Sequence, residues 1–216
     1  MRFSFVRLRR LDQSGKYMQS NERSKLLVMT QFQYQKLRAP TNNSAVLQKE
    51  VLAGQHCEGG IWGVFAGLFG PASNEIILLS SHADADKPAA DSLAVAHELW
   101  QPTVRPQDAT PCSRDGLYVF RRFHVREADV EEVVALSQQA WTTFETNQAY
   151  AAEPQGLFRP AADADGIVRM MLLTWYDGFS SWEISRRPAP EAADNFQRRH
   201  ALTLTTYAIA TRLLKA

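Results

Sequence analysis

Two stretches, Leu26–Leu37 (LLVMTQFQYQKL) and Leu117–Val125 (LYVFRRFHV), alternate their side chains and are rich in β-branched and aromatic residues, the pattern of a strand with one face buried. Each precedes a segment of helical period. Residues 44–55 place Ala45, Leu47, Val51 and Leu52 on one stripe. Residues 128–147 do the same with Val130, Val133, Val134, Ala140, Trp141 and Phe144, behind the acids Asp129, Glu131 and Glu132 that suit a helix N-terminus. Gly59–Gly70 (GGIWGVFAGLFG) follows as a glycine-rich strand, with Gly63 and Gly67 on the face of Phe65 and Phe69.

The order then repeats. Leu68-Phe69-Gly70-Pro71-Ala72 and Leu157-Phe158-Arg159-Pro160-Ala161 share the pattern L-F-x-P-A, 42 and 40 residues after the respective strand starts at Leu26 and Leu117. Beyond it, Glu75–His82 aligns with Arg169–Tyr176 once a five-residue insertion is allowed in the loop holding Asp163, Asp165 and Gly166. Second helices are expected over 89–99, and over 179–187 and 191–200. Fourth strands are expected over 100–105 and 201–214. The predicted fold class is α+β, with tandem duplicated βαββαβ ferredoxin-like modules forming a pseudo-dimeric α/β barrel. The expected organisation is a flexible basic tail at 1–24, a divergent first module at 25–112 and a second at 113–216.

Composition adds boundaries to this picture. The chain has 216 residues, 45% hydrophobic and 22% charged, ordinary for a globular protein with a substantial core. Its net charge of +1 hides a tail of +5 over residues 1–25, so the body carries −4 and shows no basic footprint for nucleic acid. The apolar runs Ile76–Leu79 and Met170–Leu173 are far shorter than the ~18 residues that span a bilayer. The expected location is cytoplasmic, with organelle targeting by the arginine-rich tail as the alternative. Cys57 and Cys112 stand in no C-x-x-C arrangement and read as free thiols.

Several residues of the second half resemble the NIPSNAP family of the dimeric α/β-barrel superfamily. These are Gly116-Leu-Tyr-Val-Phe-Arg-Arg-Phe123, Gln155-Gly-Leu-Phe158 and Leu172-Leu-Thr-Trp-Tyr-Asp-Gly-Phe-Ser-Ser-Trp-Glu-Ile-Ser-Arg186. The first half resembles it more distantly, through Gly59-Gly-Ile-Trp62 to Asn74. The resemblance implies the barrel architecture and a pocket on the sheet face inside it. Its fold relatives include cofactor-free monooxygenases and haem-degrading enzymes, but it implies no particular reaction.

Strand alternation puts Tyr118, Phe120, Arg122 and His124 on the barrel-facing side, opposite Leu117, Val119, Phe123 and Val125. Arg122 and His124 are the candidate catalytic pair, a guanidinium to stabilise negative charge beside an imidazole to accept a proton. Tyr118, Phe120 and Trp175 are candidate ligand contacts. Aligning Leu26 with Leu117 adds Gln31 and Gln33 from the first half. Trp175 and Trp182 also read as core residues. His82, Asp84 and Asp86 alternate as metal ligands would, but the matching position of the second half is Tyr176, and no metal is expected. Neither G-x-G-x-x-G nor G-x-x-x-x-G-K-[ST] occurs within 59–70, so no nucleotide fingerprint is present there. No cofactor is expected, with haem on His124 as a minor alternative. The expected function is binding of a small, partly hydrophobic molecule by a homo-oligomer or monomer. Cofactor-independent oxygenation or proton transfer is its chemistry if it is an enzyme, and a non-catalytic interaction module is the rival.

Overall fold

A computed structural model describes residues 30–83, 89–161, 166–187 and 190–215. The basic tail, Leu26–Met29, Asp84 and Asp86 therefore lie outside the described residues. Eight strands form one closed barrel: β1 (Thr30–Arg38), β2 (Gly60–Phe69), β3 (Glu75–Ala83), β4 (Ala94–Pro102), β5 (Leu117–Arg126), β6 (Ala152–Pro160), β7 (Ile167–Tyr176) and β8 (Thr203–Leu213). The helices are α1 (Ala45–Leu52), α2 (Val130–Thr146), α3 (Phe179–Ile184) and α4 (Pro190–Leu202).

Around the barrel the order is β1-β3-β2-β8-β5-β7-β6-β4, and every pairing is antiparallel. Each half contributes its strands in the order fourth, first, third, second, which is the ferredoxin-like sheet. The second strand of each half meets the fourth of the other, through β2 with β8 and β6 with β4, so neither sheet keeps two open edges. The α+β fold expected from the sequence is the fold observed.

One predicted helix is instead a strand. Residues 94–102 (AVAHELWQP) form β4, with Glu98 opposite Tyr34 and Trp100 opposite Phe32. The run is short and apolar enough to fit either period, and the need to close the barrel beside β1 decides it. Among the described residues the first half consequently has only α1 on its outer face, where Leu47 and Val51 pack on Leu37, Val64, Ile76 and Leu78. Among the described residues the second half has three α-helices, and its outer face is where the layers leave space.

The pairing also corrects the register between the halves. The alignment of Glu75–His82 with Arg169–Tyr176 fits the sheet, since Leu79 lies opposite Tyr34 and Gly63, and Leu173 lies opposite Phe120 and Gly156. The counterparts of Tyr118, Phe120 and Arg122 are thereby Phe32, Tyr34 and Lys36. Gln31 and Gln33 are displaced from that alignment and sit on the opposite face of β1. The L-F-x-P-A echo is likewise out of register, because Phe158 is buried while Phe69 is 67% exposed. The structural echo is Gly63-Val-Phe65 and Gly156-Leu-Phe158. A Cβ at Gly63 would lie 2.5 Å from the Phe65 ring, and one at Gly156 2.3 Å from the Phe158 ring, so each glycine leaves room for the aromatic two residues on.

Candidate functional site

The barrel interior is full. Phe32, Trp62, Phe65, Phe120 and Phe158 meet edge to face, with ring centroids 5.1–6.1 Å apart. Tyr118 and Phe120 belong to this core and are at most 1% exposed. The Tyr118 hydroxyl donates to Arg114 O at 3.0 Å. These two residues face inward as the alternation requires, and what they touch is packed protein.

Arg122 is buried at one end of this core. Its guanidinium lies 2.6 Å from Glu98 Oε2 and 4.3 Å over the Tyr34 ring, while Arg169 reaches Glu98 Oε1 at 2.7 Å. Burial works against the charged guanidinium, but Tyr34 and Glu98 outweigh it and hold the Arg122 pKa above its ordinary value. Burial also pushes the Tyr34 hydroxyl up to about 12, against the pull of Arg122. The arginine is thus committed to a carboxylate. His124, two residues on, shares a 2.6 Å hydrogen bond between its Nδ1 and Thr205 Oγ1 at the barrel mouth.

The other expected contacts are scattered. Trp175 is at the opposite end, donating from Nε1 to Asp115 O at 2.9 Å with Arg114 stacked 4.7 Å over its ring. Gln33 lies outside the barrel wall, bonded to Ala89 O, His97 and Ser80. Gln31 shares that face, opposite His82. The structure therefore does not bring the seven candidate residues into one pocket. With His124 tied to Thr205 above a filled core, the residues at the mouth do not shape a haem site. Among the described residues no group of three or more His, Cys, Asp or Glu could hold a metal ion.

Space opens instead on the other side of the same sheet. A cavity of about 270 Å³ lies between the outer face of β5, β7 and β8 and the helices above. Its floor is Val119, Arg121, Phe123, Leu172, Thr174 and Thr206. Its roof is Trp141 and Phe144 from α2, Phe196, Arg199 and His200 from α4, and Ser185 and Arg186 just after α3. The size is close to the lower limit of ordinary small-molecule sites, and aromatic walls with a few convergent polar groups are typical of them.

Three arginines line this cavity, Arg121 and Arg199 half-buried and Arg186 exposed at its rim. Burial lowers the Arg121 pKa, and the nearby charge of Arg186 lowers it further. Burial, with the charges of Arg121 and Arg186, brings Arg199 down to about 10. Arg199 keeps some exposed surface, and its guanidinium sits 5.1 Å over the Phe123 ring. Among the described residues no carboxylate lines the cavity.

The sequence carried a signal for this site. Arg121 interrupts the series Leu117, Val119, Phe123, Val125 at a position that alternation assigns to the helix-facing core. A charge at an apolar position of an otherwise regular strand is a candidate functional residue. Arg186 falls within the segment that carries the family resemblance. Arg199 had no such marker, because α4 is polar on most of its surface.

No family model matches the chain, and no curated protein is similar to it in sequence. Solved structures are similar in fold. An anthrone oxidase-like protein is 13% identical with a TM-score of 0.59, over 86% of this chain and 91% of that one. A ferredoxin-fold protein from Listeria monocytogenes, related to antibiotic biosynthesis monooxygenases, is 10% identical with a TM-score of 0.52, over 88% and 99%. At such identities the likeness is one of fold, and the fold is that of the ferredoxin-like dimeric α+β barrel proteins.

Proposed function

We propose that this chain binds a small, partly hydrophobic molecule between the β5–β7–β8 sheet and helices α2 and α4, and that it acts on it by proton transfer or cofactor-independent oxygenation. The observation that carries the reading is the helix-covered cavity, with Phe123, Trp141, Phe144 and Phe196 as apolar walls and Thr174, Thr206, His200 and the arginines as polar ones. The monooxygenase-like and anthrone oxidase-like character of the fold neighbours supports the choice of chemistry.

The residues present can perform its first step. Neutral imidazole of His200 accepts a proton from an acidic C–H or O–H of the ligand, and the guanidiniums stabilise the oxyanion left behind. Such an anion can pass electrons to dioxygen as the co-reactant, without a metal or flavin. In this reading Arg122 and His124 support the barrel mouth and do not touch the ligand. The NIPSNAP-like affiliation and an origin by internal duplication belong to the same proposal, supported by the common register of β3 and β7.

Native mass spectrometry of protein purified from its own host tests the site. A retained small molecule should be lost from Thr174→Trp, which fills the cavity, and kept in His124→Ala. Retention by Thr174→Trp with loss from His124→Ala would move the site to the barrel mouth and overturn the proposal.

A further inference from the structure

Many arginines of this chain pair with acids, even at the surface. Arg38 meets Glu75 at 2.6 Å, Arg114 meets Glu153 at 2.6 Å and Arg198 meets Glu132 at 2.7 Å. The inner arginine of the barrel, Arg122, also has its carboxylate. The cavity above β5 gathers several that do not. Arg121, Arg186 and Arg199 converge there, and among the described residues none of them has an acidic partner. Two of them lie over aromatic rings, Arg199 5.1 Å over Phe123 and Arg186 5.9 Å over Trp182.

Gathering like charges at a partly enclosed site without counter-charge costs stability, and an anion bound among them would offset that cost. The guanidinium fork matches the oxygens of a carboxylate or a phosphate and binds them with paired hydrogen bonds. The remaining walls are aromatic, and about 270 Å³ leaves room for a compact ring system.

We propose that the ligand of this cavity is a small aromatic molecule bearing an anionic oxygen group, carboxylate or phosphate, held by Arg121, Arg186 and Arg199 with its ring among Phe123, Trp141 and Phe196. The inference rests on the reading of the cavity as the ligand site and specifies what it selects. It also gives the arginines a positioning role, since an anchored acidic group fixes which ligand atom faces His200.

Isothermal titration calorimetry of the full chain with 1-naphthoate, 1-naphthyl phosphate and the uncharged 1-naphthamide tests it. At least one anion should bind about tenfold or more tightly than the amide, roughly the value of one charge-assisted hydrogen bond. Whichever anion wins identifies the head group. Arg121→Met and Arg199→Met should each abolish that preference and change amide binding less than about twofold, because Met keeps the apolar stem. Equal binding of amide and anions overturns the anionic specificity and leaves the cavity as the ligand site. An anion preference that survives in both variants places the anion elsewhere and overturns the proposal. Failure of all three probes to bind overturns both readings.

Discussion

Replacing Arg199 with Met should stabilise the ligand-free protein. Burial and the charges of Arg121 and Arg186 bring its pKa from the ordinary guanidinium value to about 10, which corresponds to a cost of ~3 kcal/mol for keeping it charged. Solvent reaching the partly exposed residue reduces that figure. Loss of the guanidinium over the Phe123 ring, 5.1 Å away, removes ~0.5–1 kcal/mol of attraction. The net gain is about 1–2 kcal/mol, or a rise in Tm of about 3–6 °C for a domain of this size.

The sign of the pH dependence follows from the depressed pKa. Between about pH 10 and the ordinary guanidinium value the unfolded chain binds more protons, so the penalty relaxes only there. Below about pH 10 it is fully present, and the gain from Arg199→Met should be level from about pH 6 to about pH 9. Differential scanning calorimetry across that range is the assay. Arg198→Met, one residue away in an exposed pair with Glu132, serves as the control and should change stability by less than ~1 kcal/mol. A fall in Tm for Arg199→Met would refute the reasoning, because it would show that the guanidinium already has a stabilising partner.

Two other perturbations test the barrel. Glu98→Gln removes the acid shared by Arg122 and Arg169 and strands a buried guanidinium, so urea unfolding should show a loss of ~3 kcal/mol or more; a loss below ~1 kcal/mol would mean that Arg122 reaches solvent. Gly156→Ala places a methyl group 2.3 Å from the Phe158 ring and should cost about 1–3 kcal/mol by the same measurement, whereas a neutral result would show that the ring is free to move.

The sequence made some of this legible and concealed the rest. In β5, strict alternation identified both faces correctly, because a strand buried on both sides still separates its inner and outer side chains. The inner face of β5 is the richer in polar side chains, and that composition points to Arg122 and His124 rather than to Arg121, the outward residue between Val119 and Phe123. Whether Arg122 is available depends on Glu98, a partner from a strand that local pattern had made a helix. Register between the halves was similarly concealed, since Leu26 and Thr30 both open plausible alternating runs and only pairing with β3 distinguishes them. The cavity depends on how α2 and α4 sit over the sheet, which no local period encodes.

The most direct test of the central claim is a crystal structure of the full chain with its retained or soaked aromatic ligand. The account predicts electron density between the outer face of β5 and helices α2 and α4, with an anionic group within hydrogen-bond distance of Arg121 or Arg199. Density at the barrel mouth against Arg122 and His124, with the helix-covered cavity empty, would contradict it.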